Sequence, residues 1–440
     1  MPGVVWFRRD LRLTDNPAWA DATERHDEVV ALFVLDPALL RPGSRRTDLL
    51  LHHLHALDGE LRELGGRLHV RSGAPVEVVP QVVEAVGATA VHWNRDVTPY
   101  SRTRDTAVRS ALTVHDRTWW GSHVRPPGSV LTGSGTPYKV FTPFHRSWSA
   151  TPIPEAPQGG DADVRDDAGD GLPDATTSSP MPAGEQAALG RLEDYARRAP
   201  SYADNRDDPG LDATSRLSAD LKFGTLSPTR VVERLDGVSD AFVRQVAWRD
   251  FYAHVLHAFP HSFDAPLDPR YEGIAWDDDE EAFDAWKQGR TGFPIVDAGM
   301  RQLEAEGWMH GRVRMIAASF LVKDLLIDWR RGERWFRERL LDGDVAQNIG
   351  NWQWVAGTGA DAAPYFRVFN PTLQGKKFDP DGTYVRRWVS ELGDVPPSQV
   401  HEPWKAGMLA GDYPAPIVDH AAARDRTIAA YKAALEANRG

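Results

Sequence analysis

Apolar residues in the first 130 positions fall in short runs that are separated by segments of helical length. These runs occupy residues 4–7, 29–35, 68–70 and 90–93. Between the second and third runs, leucines recur every three or four positions until Gly65 and Gly66 end the pattern. Short buried strands that alternate with helices predict an α/β domain over residues 1–130, with a Rossmann-like parallel sheet covered on both faces.

The residues after the first run exclude the common phosphate-binding fingerprints. The chain continues as RRDLRLTDN at 8–16 instead of GxGxxG, and it contains no GxxxxGK[ST] loop. An ordinary flavin or nicotinamide oxidoreductase is therefore disfavoured. No GxSxG or HExxH motif is present, and we interpret His52, His53 and His55 as surface residues of a helix.

A change of composition marks the segment 131–195 as an interdomain linker. Its central part, 151–185, holds six Pro, five Gly, eight acidic residues and one Arg, with few large apolar side chains. Such a stretch buries too little surface to offset its ordering entropy, so we expect it to be exposed.

Helical periodicity governs the rest of the chain. Ser227 and Pro228 form a typical helix start, with the serine as N-cap. A buried stripe is predicted for Met315, Ala318, Val322, Leu325 and Trp329. We therefore expect an all-α domain over 196–440.

The amino-acid composition excludes several classes of catalytic and metal site. The 440 residues include no cysteine, which excludes disulfides, thiolate catalysis, zinc–thiolate sites and cysteine-ligated iron–sulfur clusters. The net charge is −12, but seven of these charges belong to 151–185, so the acidity does not exclude DNA as a partner. Without a signal peptide or an apolar stretch of membrane length, we expect a cytoplasmic protein.

Two segments carry candidate chemistry. The first, 342–377, is dense in Asp, Asn, Gly and Trp, which suits a flat ligand with sugar or amide groups. The second, 212–228, clusters hydroxyl side chains ahead of a helix, where a phosphate can bind. Ten of the 16 tryptophans lie between 248 and 404. Most of these rings suit packing, but tryptophan is also readily oxidised and can pass an electron to a redox cofactor.

Together these segments resemble the DNA photolyase and cryptochrome family, most closely the class I photolyases of cyclobutane pyrimidine dimers. The resemblance begins with WFRRDLRLTDNPAW at 6–19 and continues through TSRLSADLKFGTLSP and WRDFYAHVL at 248–256. It is strongest over 291–336 and 342–378. It implies an antenna-binding α/β domain and a helical domain that binds FAD.

The resemblance implies a set of FAD-binding residues. The phosphates would meet the TSRLS turn, and Asp342 and Asp344 would face the flavin and its sugar. Asn348 would lie beside flavin N5, where an amide shares hydrogen bonds without adding charge. The full set is Tyr202, Thr214, Ser215, Arg216, Leu217, Ser218, Arg249, Asp342, Asp344 and Asn348.

Three tryptophans match the electron-transfer row of the family. Trp352 would be proximal to the flavin, Trp329 intermediate and Trp276 outermost. This row would reduce the flavin before repair and would take no part in the repair cycle itself.

Substrate residues are also implied. Trp248 and Trp354 match aromatic walls around a dimer flipped out of DNA. Met315 stands where (6-4) photolyases carry histidine, which leaves no acid for that chemistry. Gln245 replaces the usual Glu, and Gly311 replaces the usual Asn, so one dimer contact is lost or passes to water.

A DNA-binding face would use basic side chains of the helical domain that contact phosphates. These are Arg206, Arg312, Lys376, Lys377, Arg386 and Arg387. The resemblance implies damaged DNA as the partner and a monomeric enzyme.

The antenna is expected to be 8-hydroxy-5-deazaflavin, with methenyltetrahydrofolate as the alternative. The residues implied are Arg9, Phe33, Asp36, Arg46 and Asp96. For function, light-driven repair of cyclobutane dimers is favoured. A cryptochrome photoreceptor or a (6-4) photolyase is the alternative.

Overall fold

The computed structural model describes residues 1–41, 43–153, 155 and 158–437. By packing, the chain divides into two compact units. The sheet unit comprises Met1–Tyr138, Thr142–Pro200 and Ser215–Ala258, and the helical unit comprises Lys139–Phe141, Ser201–Thr214 and the chain from Phe259 onward. The predicted domain boundaries at 130 and 195 stay predictions, because packing units and sequence domains are different divisions of a chain.

The sheet unit contains six strands. They are β1 (Pro2–Phe7), β2 (Glu28–Leu35), β3 (Leu68–Ser72), β4 (Ala90–Asn94), β5 (His115–Trp119) and β6 (Asp163–Val164). The order is β3-β2-β1-β4-β5, every pairing is parallel, and β6 joins β2 off this path. This confirms the predicted parallel sheet. The strand order reverses between β1 and β4, where α/β proteins bind ligands outside the carboxyl ends of the strands.

Eighteen helices are described. The first nine are α1 (Pro17–Arg25), α2 (Arg45–Glu63), α3 (Pro75–Val86), α4 (Pro99–Ala111), α5 (Phe141–Ala150), α6 (Glu185–Ala196), α7 (Tyr202–Asn205), α8 (Ser218–Phe223) and α9 (Pro228–Leu235). The others are α10 (Asp240–Ala258), α11 (Glu280–Lys287), α12 (Pro294–Glu306), α13 (Gly311–Ser319), α14 (Trp329–Arg339), α15 (Val345–Ala356), α16 (Pro371–Phe378), α17 (Thr383–Trp388) and α18 (His420–Ala437). No helix of the described residues is both long and apolar enough to cross a membrane.

The acidic segment 151–185 is mostly exposed but is held against the sheet unit, and its residues 154, 156 and 157 lie outside the described residues. Val164 is buried in β6, and Arg165 forms an ion pair of 2.6 Å with Glu28 of β2. Thr176 and Thr177 bind the carboxylate of Asp48. Polar contacts, rather than a core, therefore order this segment.

The predicted stripe from Met315 to Trp329 is interrupted. Four of its five side chains are buried, whereas Met315 is half-buried. Helix α13 gives way to a π-helical turn at Phe320–Asp324, and α14 begins only at Trp329. The turn carries buried Lys323, whose ammonium donates to the carbonyl of Ala356 at 2.9 Å. Helical spacing alone does not reveal such a bulge.

Candidate active site

The turn between α14 and α15 carries the two predicted aspartates. The buried carboxylate of Asp342 receives Arg314 Nη2 at 2.9 Å, and Arg314 also donates to the carbonyl of Met309. Asp344 caps α15, because its Oδ1 accepts from the backbone N–H of Gln347 at 3.1 Å. These contacts fix the start of the helix that carries Asn348 and Trp352. Sequence reasoning did not identify Arg314.

Asn348 lies one turn into α15 and is half-buried. Its Nδ2 donates to the backbone carbonyl of Glu333 at 2.9 Å and to Glu333 Oε1 at 3.0 Å. Glu333 is itself buried, and burial raises the pKa of its carboxyl, while Arg337 at 3.3 Å opposes this shift. Glu333 was missed from the sequence, since a single Glu in an Arg-rich helix reads as a solvated charge.

The three predicted electron-transfer tryptophans differ in exposure. Trp329 and Trp352 are 1% and 2% exposed, whereas Trp276 is half-buried. The ring of Trp352 packs on Gly332, which follows Trp329 by one turn of α14. Trp329 is therefore part of α14, and Trp352 packs against the same helix.

The outer tryptophan is joined to the segment that precedes α14. The backbone N–H of Asp277 donates to the carbonyl of Leu326 at 2.8 Å, and Asp277 pairs with Ile327 as a parallel bridge. Trp276 therefore lies beside the residues that lead into α14. Its ring also meets Tyr431 edge-on at 6.0 Å.

A fourth tryptophan, Trp286, touches the row. It is fully buried, and its ring centroid lies 6.2 Å from that of Trp352. Its Nε1 donates to the carbonyl of Ala317 at 3.0 Å. Lys287 and Arg331 both lie over the ring of Phe283, which stacks on Trp286. Both cations also form ion pairs with neighbouring carboxylates.

Helix α13 carries three of the predicted substrate residues and departures of the helical unit. Met315 is half-buried, and Arg312 Nη1 lies 3.8 Å from its sulfur. Arg312 also forms an ion pair of 2.8 Å with Asp207. Gly311 is exposed, and a Cβ there would meet no atom within 4 Å. Trp354 of α15 is partly buried against the core.

The other predicted basic residues of the helical unit are engaged with the protein itself. Lys376 pairs with Glu402 at 2.5 Å, Arg386 donates to the carbonyl of Val395, and Arg387 donates to the carbonyl of Gly210. Lys377 lies over the ring of Phe378, and Arg206 lies 5.9 Å from the ring of Tyr202. Burial raises the pKa of Tyr202. Thr214 is half-buried.

The remaining residues of the TSRLS turn belong to the sheet unit. Ser215 Oγ accepts from the N–H of Leu217 at 3.3 Å, and Arg216 has a φ of +54°. Ser218 begins α8. Two donors of Arg249 are directed to the carbonyls of Ser122 and Leu221, so part of this guanidinium has a structural role.

Two predicted substrate residues share one face of α10, also in the sheet unit. Gln245 and Trp248 are three positions apart and both half-buried. The ring of Trp248 is supported by Phe251 at 5.5 Å and Tyr252 at 5.4 Å.

Three of the five predicted antenna residues follow the carboxyl ends of central strands. Arg9 comes after β1 and binds Asp96, which comes after β4, at 3.1 Å. Burial alone would raise the pKa of Asp96, but the charges of Arg9 and Arg8 lower it. Asp36 follows β2 and accepts from the hydroxyl of Tyr100, a residue that the sequence did not single out.

Two further predicted antenna residues lie within secondary structure. Phe33 is buried in β2, and Arg46 lies in the first turn of α2.

The chain is similar to known proteins over nearly its whole length. Residues 3–159 match the family model for DNA photolyase, and residues 242–433 match the model for the FAD binding domain of DNA photolyase. The deoxyribodipyrimidine photo-lyase of Agrobacterium fabrum is 40% identical, with 98% of both chains covered.

Two solved structures have the same fold. A bacterial class III photolyase from Agrobacterium tumefaciens has a TM-score of 0.90 at 39% identity, covering 99% of this chain and 98% of that chain. A cryptochrome from Synechocystis has a TM-score of 0.88 at 29% identity, covering 98% and 99%. The fold is therefore shared by proteins with both names, and the site residues must separate repair from signalling.

Proposed function

Because the chain belongs to the DNA photolyase family, we propose that it splits cyclobutane pyrimidine dimers in DNA under blue light. The observation that carries this proposal is the joint placement of Asn348 and Trp352 on α15, beside α14 with Glu333 and Trp329. This arrangement combines an amide for the flavin with oxidisable rings. The comparisons support an FAD-binding domain over this region.

The donor set of the helical unit fits a flavin. Asp342 and Asp344 supply carboxylate acceptors, and the amide of Asn348 has an oxygen that is not used by Glu333. A flavin ring and its sugar chain present N–H and O–H donors to such acceptors. When bound in its reduced form, FAD supplies the excited electron that opens the bonds between the two pyrimidines.

The tryptophans supply electrons from the protein surface to the flavin before repair begins. Trp352 and Trp329 are shielded from water, which keeps the inner part of the path dry. Trp276, half-buried, can exchange electrons with a reductant in solution. Burial therefore supports Trp276 as the outer ring, and the position of Trp352 on the same helix as Asn348 supports it as the proximal ring.

Substrate recognition combines apolar surfaces with few polar groups. Trp248 and Trp354 would stack on the flipped dimer, and Gln245 would bond the thymine carbonyl and imide groups. Arg206, Arg312 and the neighbouring basic side chains would contact DNA phosphates. Because Met315 offers no proton, we assign cyclobutane dimers rather than (6-4) lesions as substrate.

For the sheet unit, we propose an 8-hydroxy-5-deazaflavin antenna, with methenyltetrahydrofolate as the alternative. The support is the reversal of strand order between β1 and β4, where Arg9 and Asp96 lie. Absorption and mass spectra of chromophores released from the purified protein distinguish the two.

The rival function is that of a blue-light photoreceptor, favoured by the likeness to the Synechocystis cryptochrome. Repair of a dimer-containing oligonucleotide, in light and in darkness with the flavin chemically reduced beforehand, separates the two functions. We expect repair in light only. Absence of repair under both conditions would favour the photoreceptor.

A further inference from the structure

We propose that Glu333 is a positioning residue that fixes the amide of Asn348, so that this amide offers its oxygen and not its nitrogen to the flavin. This inference deepens the proposed function and rests on it. It concerns three side chains of the helical unit: Glu333 and Arg337 on α14, and Asn348 on α15.

The orientation of the Asn348 amide follows from its partners. Nδ2 lies 2.9 Å from the backbone carbonyl oxygen of Glu333 and 3.0 Å from Glu333 Oε1. A backbone carbonyl only accepts hydrogen bonds, so the amide group that faces it must be the –NH₂. A rotated amide would place two acceptor oxygens in contact. Both hydrogens of Nδ2 are thus used, and Oδ1 is the group that remains for a ligand.

Glu333 is itself held in place from its other side. Its side chain is 5% exposed, and Oε2 lies 3.3 Å from Arg337 Nη2, one helical turn later. Because Oε1 accepts from Asn348 and Oε2 faces a guanidinium, both oxygens act as acceptors, as in an ionised carboxylate. Burial raises the pKa of Glu333, but Arg337 and the Asn348 amide favour its charged form.

The orientation of the Asn348 amide determines which redox form of the flavin it can bond at N5. Oxidised flavin presents an acceptor lone pair at N5, whereas reduced flavin presents an N–H donor there. An amide oxygen bonds the second form and repels the first. The negative charge behind the amide also polarises it and strengthens Oδ1 as an acceptor. Glu333 therefore biases the bound flavin towards the reduced form that the proposed reaction uses.

The test is a spectroelectrochemical titration of FAD bound to the full-length protein. Glu333→Met removes the carboxylate, and we expect the equilibrium to shift about tenfold towards oxidised flavin, or about 30 mV for a two-electron couple. Glu333→Gln keeps an acceptor but removes the charge, so we expect a smaller shift in the same direction. Glu281→Gln, at an exposed glutamate of α11, is the matched control and should titrate like wild type.

A double-mutant cycle shows whether Glu333 acts through Asn348. In the Asn348→Ala background, neither substitution at Glu333 should shift the potential further. An equal shift in that background would overturn the proposal, because Glu333 would then act on the flavin by its charge alone. Should Glu333→Met fail to fold, Glu333→Gln carries the same cycle.

The same titration distinguishes failure of the proposed function from failure of the positioning role of Glu333. Wild-type protein that retains no FAD contradicts the proposed function and the positioning role with it. Wild-type protein that retains FAD, together with Glu333 variants that titrate like wild type, contradicts the positioning role alone.

Discussion

Gly332 and Trp352 are in direct contact, and a Cβ at position 332 would overlap the indole ring of Trp352. Gly332 lies on α14 one turn after Trp329. The glycine therefore creates the space in which the proximal tryptophan of the proposed electron path lies. It links the packing of the helical unit to the chemistry proposed for it.

Gly332→Ala should displace Trp352 and destabilise the protein by about 1–3 kcal/mol, the usual cost of overpacking a core. Elsewhere in a helix the same change stabilises, since alanine is the better helix former. The matched control is Gly190→Ala in α6, where a Cβ would meet no atom within 4 Å. Urea unfolding of both variants measures the difference, and equal stabilisation by both would contradict the contact.

Trp352→Phe should abolish photoreduction of the oxidised flavin, because the proximal ring of the electron path is lost. The chemically reduced variant should still repair dimers, since this path precedes the repair cycle. Absorbance of the flavin under blue light measures the first property, and an oligonucleotide assay measures the second.

Trp286→Phe is the control for that experiment. Trp286 touches Trp352 and is equally buried, but its ring stacks on Phe283 and Phe336, which are harder to oxidise than tryptophan. Photoreduction should persist in this variant. Loss of photoreduction in Trp286→Phe would show that electrons pass through Trp286. Retention of photoreduction in Trp352→Phe would contradict Trp352 as the proximal ring.

Gly311→Asn should strengthen binding of dimer-containing DNA about fivefold, the worth of one additional hydrogen bond. The position is exposed, and a side chain there meets open space, so the substitution brings no strain. Fluorescence anisotropy with damaged and undamaged duplexes measures the effect. An equal gain for undamaged DNA would mean that the new amide contacts the backbone instead of the dimer.

Lys323 should make stability depend on pH in alkaline solution. Burial lowers the pKa of Lys323 from 10.5 to about 7. Between these values the unfolded chain binds a proton that the folded chain lacks, so unfolding free energy rises with pH, by at most about 1.4 kcal/mol per pH unit. The ammonium faces the ring of Tyr431 and the carbonyls of Ala356 and Tyr365.

Lys323→Met should remove this rise. Urea unfolding at pH 7, 8, 9 and 10 measures it as the difference between wild type and variant, which should grow in favour of wild type as the pH increases. Lys377→Met, at an exposed position, should leave the pH profile unchanged. A constant difference across the range would show that Lys323 titrates normally.

Those strands that consist of continuous apolar residues could be predicted from the sequence. Strands β1 to β4 are apolar runs, and they were predicted. Strand β5 has the sequence HDRTW and is half-exposed at the edge of the sheet, so no apolar run marked it. The π-helical turn at Phe320–Asp324 was missed because Val322 and Leu325 continue the helical spacing of apolar residues across it.

In the candidate site, too, some residues could be identified from the sequence and others only from the structure. Asn348 and the three tryptophans were inferred because they stand in long motifs of a known family. Glu333 binds Asn348, and Arg314 binds Asp342, through pairs that are 15 and 28 positions apart in the chain. These partners meet only because α13, α14 and α15 pack together, and their spacing in the sequence gives no sign of the contacts.

The most direct test of the account is side-by-side repair of two oligonucleotides, one with a cyclobutane dimer and one with a (6-4) lesion. The protein is supplied with its flavin chemically reduced, and each reaction is run in blue light and in darkness. We predict restoration of the cyclobutane dimer in light only, with the (6-4) lesion unchanged under both conditions. Failure to restore the cyclobutane dimer in light, or its equal restoration in darkness, would contradict light-driven electron transfer as the function of this protein.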